Sequence, residues 1–151
     1  MNLELFREFV AADDDEAEDA IDDAEMFYLF GEAKFDELVR ALNEFLSGSP
    51  LTVTDTAPPN EWATPRFECA GRSSTFKTMI CQEDVFNALL AVDAVIGDEV
   101  KVYVATDTLG DREVAVTILP TVFADDLRSH DPAAFDARLT SLSTDRDPFD
   151  G

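Results

Sequence analysis

Histidine and cysteine are nearly missing from this chain, which has one His, His130, and two Cys, Cys69 and Cys81, in 151 residues. A single imidazole excludes a histidine-rich metal site, and two separated thiols are too few for a zinc framework. Reduced, partly buried thiols are expected instead, because free Cys packs as a small hydrophobe. Lysine is scarce too, with 3 Lys beside 8 Arg, and these 11 bases face 33 carboxylates for a net charge of −22. Such a surface repels DNA, RNA and anionic lipid, and steers basic proteins or cations toward itself. No apolar run approaches the roughly 20 residues that span a bilayer, and MNLELFREFVAADDD lacks the basic start and apolar stretch of a secretory signal. No membrane association and a cytoplasmic location are the resulting expectations.

The usual catalytic motifs are also missing. There is no G-x-G-x-x-G, no Walker glycine loop, no G-x-S-x-G elbow and no H-E-x-x-H. His130 precedes Asp131 at a helix start, where a capping role is the common one, and Cys69 and Cys81 fall in predicted strands with apolar neighbours. The sequence therefore nominates no catalytic residue, no metal ligand and no cofactor.

Apolar residues are not lacking: they make up 46% of the chain and include 12 Phe, enough for one domain with a real core. Leu3, Phe6 and Val10 lie on one helical stripe, so residues 2–10 read as a short helix that docks on the core. In the acidic run that follows, Ala17, Ala20, Ile21, Ala24 and Tyr28 fall at helical spacing, which predicts a helix ended by Gly31. A third helix is expected over 33–46, with Phe35, Leu38, Val39, Leu42, Phe45 and Leu46 on its apolar side.

From Leu51 the period shortens to two. LTVT, RFECA and TFKTMIC read as strands, the last two forming a hairpin about Gly71 to Ser74 that sets Cys69 opposite a residue near 75. Residues 83–96 are apolar over most of a helix circumference and should be sandwiched in the interior. EVKVYVATD and REVAVTILP follow as two strands joined by a tight turn at Gly110, with Val100, Val102, Val104, Val114, Val116 and Ile118 facing inward. A final helix begins with Asp131 as cap and Pro132 in its first turn, with Phe135 and Leu139 on one side, and LSTDRDPFDG reads as a frayed tail.

The predicted fold is thus α+β: one domain over 1–142, with N-terminal helices and a mostly antiparallel sheet of about five strands packed on helix 83–96. Within it, 1–48 is an acidic helical part, 49–120 the sheet with its central helix, and 121–142 the C-terminal helices; 143–151 is a flexible tail.

Charge is the most informative presence. Residues 1–48 carry 15 acids and 3 bases, and Asp13 to Glu25 hold nine carboxylates with no Lys or Arg among them. An EF-hand loop started at Asp13 would need a glycine where Glu18 stands, so that calcium template fails. Like charges at i, i+4, such as Asp15 with Asp19 and Glu18 with Asp22, oppose this helix by roughly 1 to 2 kcal/mol in total at low salt. Asp15, Glu18, Asp19 and Asp22 are therefore the candidate residues for meeting a basic partner. Trp62, in the proline-stiffened segment DTAPPNEWATP, is a second candidate, either as an interface anchor or as a cover over the core edge.

Three functional classes remain. One is a non-enzymatic interaction module, of the inhibitor or immunity-protein kind by analogy of size and charge, that presents its acidic helices to a basic protein. Another is a metal-assisted enzyme using carboxylates. The third is a housekeeping domain whose charge only solvates it or adapts it to salt, as 20 Asp against 13 Glu would suit.

Overall fold

The computed structural model describes residues 3–31, 34–46, 48–54, 62–79, 85–109, 111 and 113–142. At its centre are two strands rich in Val, β7 (Val100–Ala105) and β8 (Val114–Pro120), which pair antiparallel with Val102 opposite Ile118 and Val104 opposite Val116. The short strands β1 (Tyr28–Phe30) and β9 (Leu139–Ser141) flank them, giving the order β1-β8-β7-β9. Because side chains alternate along a strand, the six expected inward residues, Val100 to Ile118, lie on one face of this sheet.

That face meets α3 (Phe35–Asn43), α4 (Val85–Val95) and a second antiparallel sheet of β2 (Thr52–Thr54), β4 (Arg66–Cys69) and β5 (Arg72–Thr75). Helix α4 packs against β4, β5 and β7 and buries Ala88, Leu89, Val92 and Val95, so the interior helix is sandwiched as its composition requires. Phe35, Phe67 and Phe76 close the cluster with edge-to-face and stacked contacts.

The other face of the sheet is buried too, which alternation alone did not announce. Tyr103, Ala105, Ala115, Thr117 and Leu119 are covered by α1 (Leu3–Ala11), α2 (Asp14–Ile21), α5 (Thr121–His130) and α6 (Pro132–Arg138). Small residues make this possible: Ala17, Ala105, Ala115 and Ala124 let the helix backbones come close. Phe6, Phe9 and Phe27 then fill the remaining space through edge-on ring contacts. Thr117 is fully buried with no partner for its hydroxyl among the described residues.

Several sequence expectations are corrected. The acidic helix stops at Ile21, and Tyr28–Phe30 is a strand paired with Val114 to Val116 rather than the end of that helix. Its C-terminus carries Asp22 and Asp23, the wrong sign for that end of the dipole, and the Asp23 carboxylate accepts from the Glu25 amide at 2.9 Å to form a turn. Ala24, expected inside, is exposed in that turn.

The strands from 51 to 79 form the separate sheet β2-β4-β5 and a two-stranded ladder of β3 (Trp62–Ala63) with β6 (Thr78–Met79), instead of joining one five-stranded sheet. Their hairpin is tighter than expected, with Cys69 opposite Arg72. Ala70 and Gly71 both adopt positive φ, 52° and 81°, the two-residue turn whose twist matches paired strands.

The β7–β8 connection is not a tight turn. A 3₁₀ turn over Thr106–Thr108 places the buried Thr108 hydroxyl so that it donates to Ala105 O at 2.7 Å and accepts from Ala115 N at 3.1 Å. Gly110 lies outside the described residues, as do Cys81 and 143–151. Leu139 begins β9 rather than extending α6, and Leu142, the last residue of the expected domain and the first of the stretch read as frayed, is buried on the α4 side.

Candidate functional site

The acidic stretch is held by a cation far away in sequence. Arg138, whose side chain is only 10% exposed, donates to the Asp14 carboxylate and to Ala12 O, both at 3.0 Å, and reaches Asp107 at 3.4 Å. This guanidinium ties the α1–α2 junction to α6 and to the turn after β7. Asp13 caps α2 by accepting from the Glu16 amide at 2.9 Å, and three carboxylates in the first turn suit the positive end of the helix dipole. Ala17 and Ile21 are buried beneath.

Asp15, Glu18, Asp19 and Asp22 are exposed, as a helix sealed by Ala17 and Ile21 requires. They are flanked by more of the same sign. The segments that cover this side of the sheet, residues 3–25 and 121–138, carry fifteen carboxylates and three arginines. All three arginines are already engaged: Arg7 with Asp126 at 3.5 Å and over the Phe123 ring, Arg128 with Asp136 at 3.3 Å, and Arg138 as above. Among the described residues, no group of three or more His, Cys, Asp or Glu is arranged to hold a metal ion. His130 sits at the exposed end of α5 with Nδ1 2.9 Å from Asp126 O, and Asp131 caps α6 by accepting from Ala134 N.

Trp62 does not fold back over the core. It is 63% exposed on β3, with the Lys77 ammonium 5.4 Å from its ring centre, while its neighbour Ala63 packs on the α4-side cluster. The structure therefore brings the four candidate carboxylates together and leaves Trp62 on the other side of the central sheet, apart from them. Cys69 is a buried free thiol whose Sγ lies 3.5 Å from Ser49 O.

Sequence reasoning missed Arg138 and a cleft of about 460 Å³ lined by residues of β7, α5, α6 and β9, Tyr103, Asp125 and Arg128 among them. Arg138 is a basic residue in the last turn of a helix, a pattern that ordinarily marks a solvated side chain, so local spacing gave no signal of its burial. Among the described residues no helix is long and apolar enough to cross a membrane. Comparison with protein-family models, with curated proteins and with solved structures gives no match, so the functional reading rests on this geometry.

Proposed function

We propose that this protein is a non-enzymatic binding module that presents its α1–α2–α5–α6 layer to a basic protein, with Asp15, Glu18, Asp19 and Asp22 at the centre of contact. The observation that carries this reading is the charge state of the layer: fifteen carboxylates against three arginines, each arginine already tied within the fold. What remains on the surface is uncompensated negative charge on a layer of four helices. Charge of this kind steers encounter and selects partners by sign more than it adds raw affinity.

The test is affinity capture from native cell extract with the wild-type chain and with a variant carrying Asp15→Asn, Glu18→Gln, Asp19→Asn and Asp22→Asn. A basic protein retained by the first, released by raised salt and lost by the second is expected. Equal retention by both would remove the basis of the proposal. A purely solvating role predicts a different result: no selective capture, with folding stability rising strongly from low to molar salt as repulsion is screened.

A further inference from the structure

The cleft beside β9 lies in the same helix layer but is not lined by α2, so it stands independently of the partner reading. Its floor is Tyr103, 5% exposed, whose ring meets Phe135 edge-on with centroids 5.8 Å apart. Leu109, Ala124 and Leu139 complete an apolar wall. At the rim Arg128 and Asp136 neutralise each other at 3.3 Å, and the Thr106 and Thr140 hydroxyls bond to one another at 2.9 Å. Three polar side chains are left over. Tyr103, Asp125 and Ser141 all line the cleft, and neither the Tyr103 or Ser141 hydroxyl nor the Asp125 carboxylate has a hydrogen-bond or ion-pair partner among the described residues.

Unlike the Thr117 hydroxyl, which is sealed from solvent, the Tyr103 hydroxyl is accessible, so a ligand in the cleft can take up its hydrogen bond. Burial first, then the negative charge of Asp125 and Asp93, holds the Tyr103 phenol above its ordinary range, against a smaller opposing pull from Arg128. It is therefore neutral near pH 7 and free to accept or donate. We infer that this cleft binds a positively charged group on a short apolar stem, an ammonium or guanidinium that pairs with Asp125 and bonds the Tyr103 hydroxyl while its stem lies against Phe135 and Leu139. Volume agrees, since about 460 Å³ is within the range of small-ligand pockets. Charge agrees as well: an anion would face the unpaired Asp125 inside a chain of net charge −22.

The group can come from a free amine or from a Lys or Arg side chain of another protein, and the experiment separates them. Phenethylammonium, n-butylammonium and short peptides bearing one Lys or Arg are titrated at constant ionic strength, with 2-phenylethanol and butyrate as neutral and anionic controls. Methyl chemical shifts of Ala124, Leu109 and Leu139 report occupancy. Saturation by a free amine, or only by the peptides, identifies the source. In either case Asp125→Asn is expected to weaken binding by about ten- to a hundredfold, the range of a charge-assisted hydrogen bond, and Tyr103→Phe by about three- to tenfold. Asp125 is exposed and Phe retains the Tyr103 ring, so both variants keep the packing. The four-fold neutralised α2 variant is expected to bind as the wild type does. Absence of saturation by any cation, equal binding of the neutral control, or indifference to both Asp125→Asn and Tyr103→Phe would overturn the assignment.

Discussion

The two sides of the central sheet both bury aromatic rings and differ in what else they bury and in the charge they leave outside. On one side α3, α4 and the β2-β4-β5 sheet bury large side chains, Phe35, Leu38, Phe67 and Leu89, and the described surface there includes six of the chain's bases, such as Arg40, Arg66 and Lys77. On the other side four helices bury Phe6, Phe9, Phe27 and Leu119 together with small side chains, Ala17, Ala105, Ala115 and Ala124, and the charged groups of residues 3–25 and 121–138 are fifteen carboxylates against three arginines. The first side gains its stability from volume. The second adds to its buried rings close backbone approach and a few guanidinium clamps, and leaves its charge outside. A platform of this kind keeps its shape while carrying repulsion that would loosen a less tightly sealed helix.

Changing side-chain volume should break the contrast most strongly. Leu89→Ala, at a fully buried site on the α4 side, is expected to reduce stability by about 2–5 kcal/mol through lost contacts and a residual cavity. Ala17→Leu, the opposite change on the helix side, is expected to lower it by about 1–3 kcal/mol by pushing α2 off the sheet layer. Urea unfolding measures both, and amide exchange in α2 should rise only in the second.

Next in size is the clamp. Arg138→Met retains an apolar stem but removes the donors to Ala12 O, Asp14 and Asp107, and a loss of about 2 kcal/mol is expected, the scale of charge-assisted hydrogen bonds. Faster amide exchange at the α1–α2 junction, with α4 unchanged, would place the loss on the helix side. Smaller still is relief of repulsion. The variant with Asp15→Asn, Glu18→Gln, Asp19→Asn and Asp22→Asn should be more stable by about 1 kcal/mol at low salt, and the gain should vanish near molar salt. A gain that persists at high salt would show that charge repulsion is not its cause.

Alkaline pH gives a comparison across the sheet, because Tyr28 faces the α4 side and Tyr103 the helix side. Both phenols titrate above their ordinary value, each chiefly through burial. A raised pKa in the folded state means that the neutral form is favoured there. Its contribution to stability is full below the unfolded value of about 10 and is lost as pH rises through the folded pKa. Wild-type stability should accordingly fall above about pH 10, and Tyr103→Phe should flatten part of that fall.

Much of this fold was legible in the sequence because it is periodic. The stripe of α3, the near-continuous apolar surface of α4 and the Val alternation of β7 and β8 each specify an element and the face it buries. The α+β class followed from these. Less legible was anything set by partners distant in sequence. Tyr28 sits at helical spacing from Ala17 and Ala24, yet pairing with Val116 makes it a strand residue. The second buried face of the sheet was hidden because Ala105, Ala115 and Thr117 do not look like core, and the cleft because its walls come from β7, α5, α6 and β9. The candidate carboxylates were readable as an exposed helix face, while the Arg138 clamp that fixes them lies 124 residues from Asp14.

The most direct test compares the two sides as binding surfaces. Two variants each lose four exposed carboxylates: one at Asp15, Glu18, Asp19 and Asp22, the other at Asp36, Glu37, Glu44 and Glu99, with Asn or Gln replacing each. Their affinity for poly-L-lysine is measured by calorimetry at low and at moderate salt. The helix-layer variant should bind about tenfold more weakly than the wild type, and the matched variant within about twofold of it. Equal weakening in the two would show that net charge alone governs binding and would contradict a dedicated acidic face.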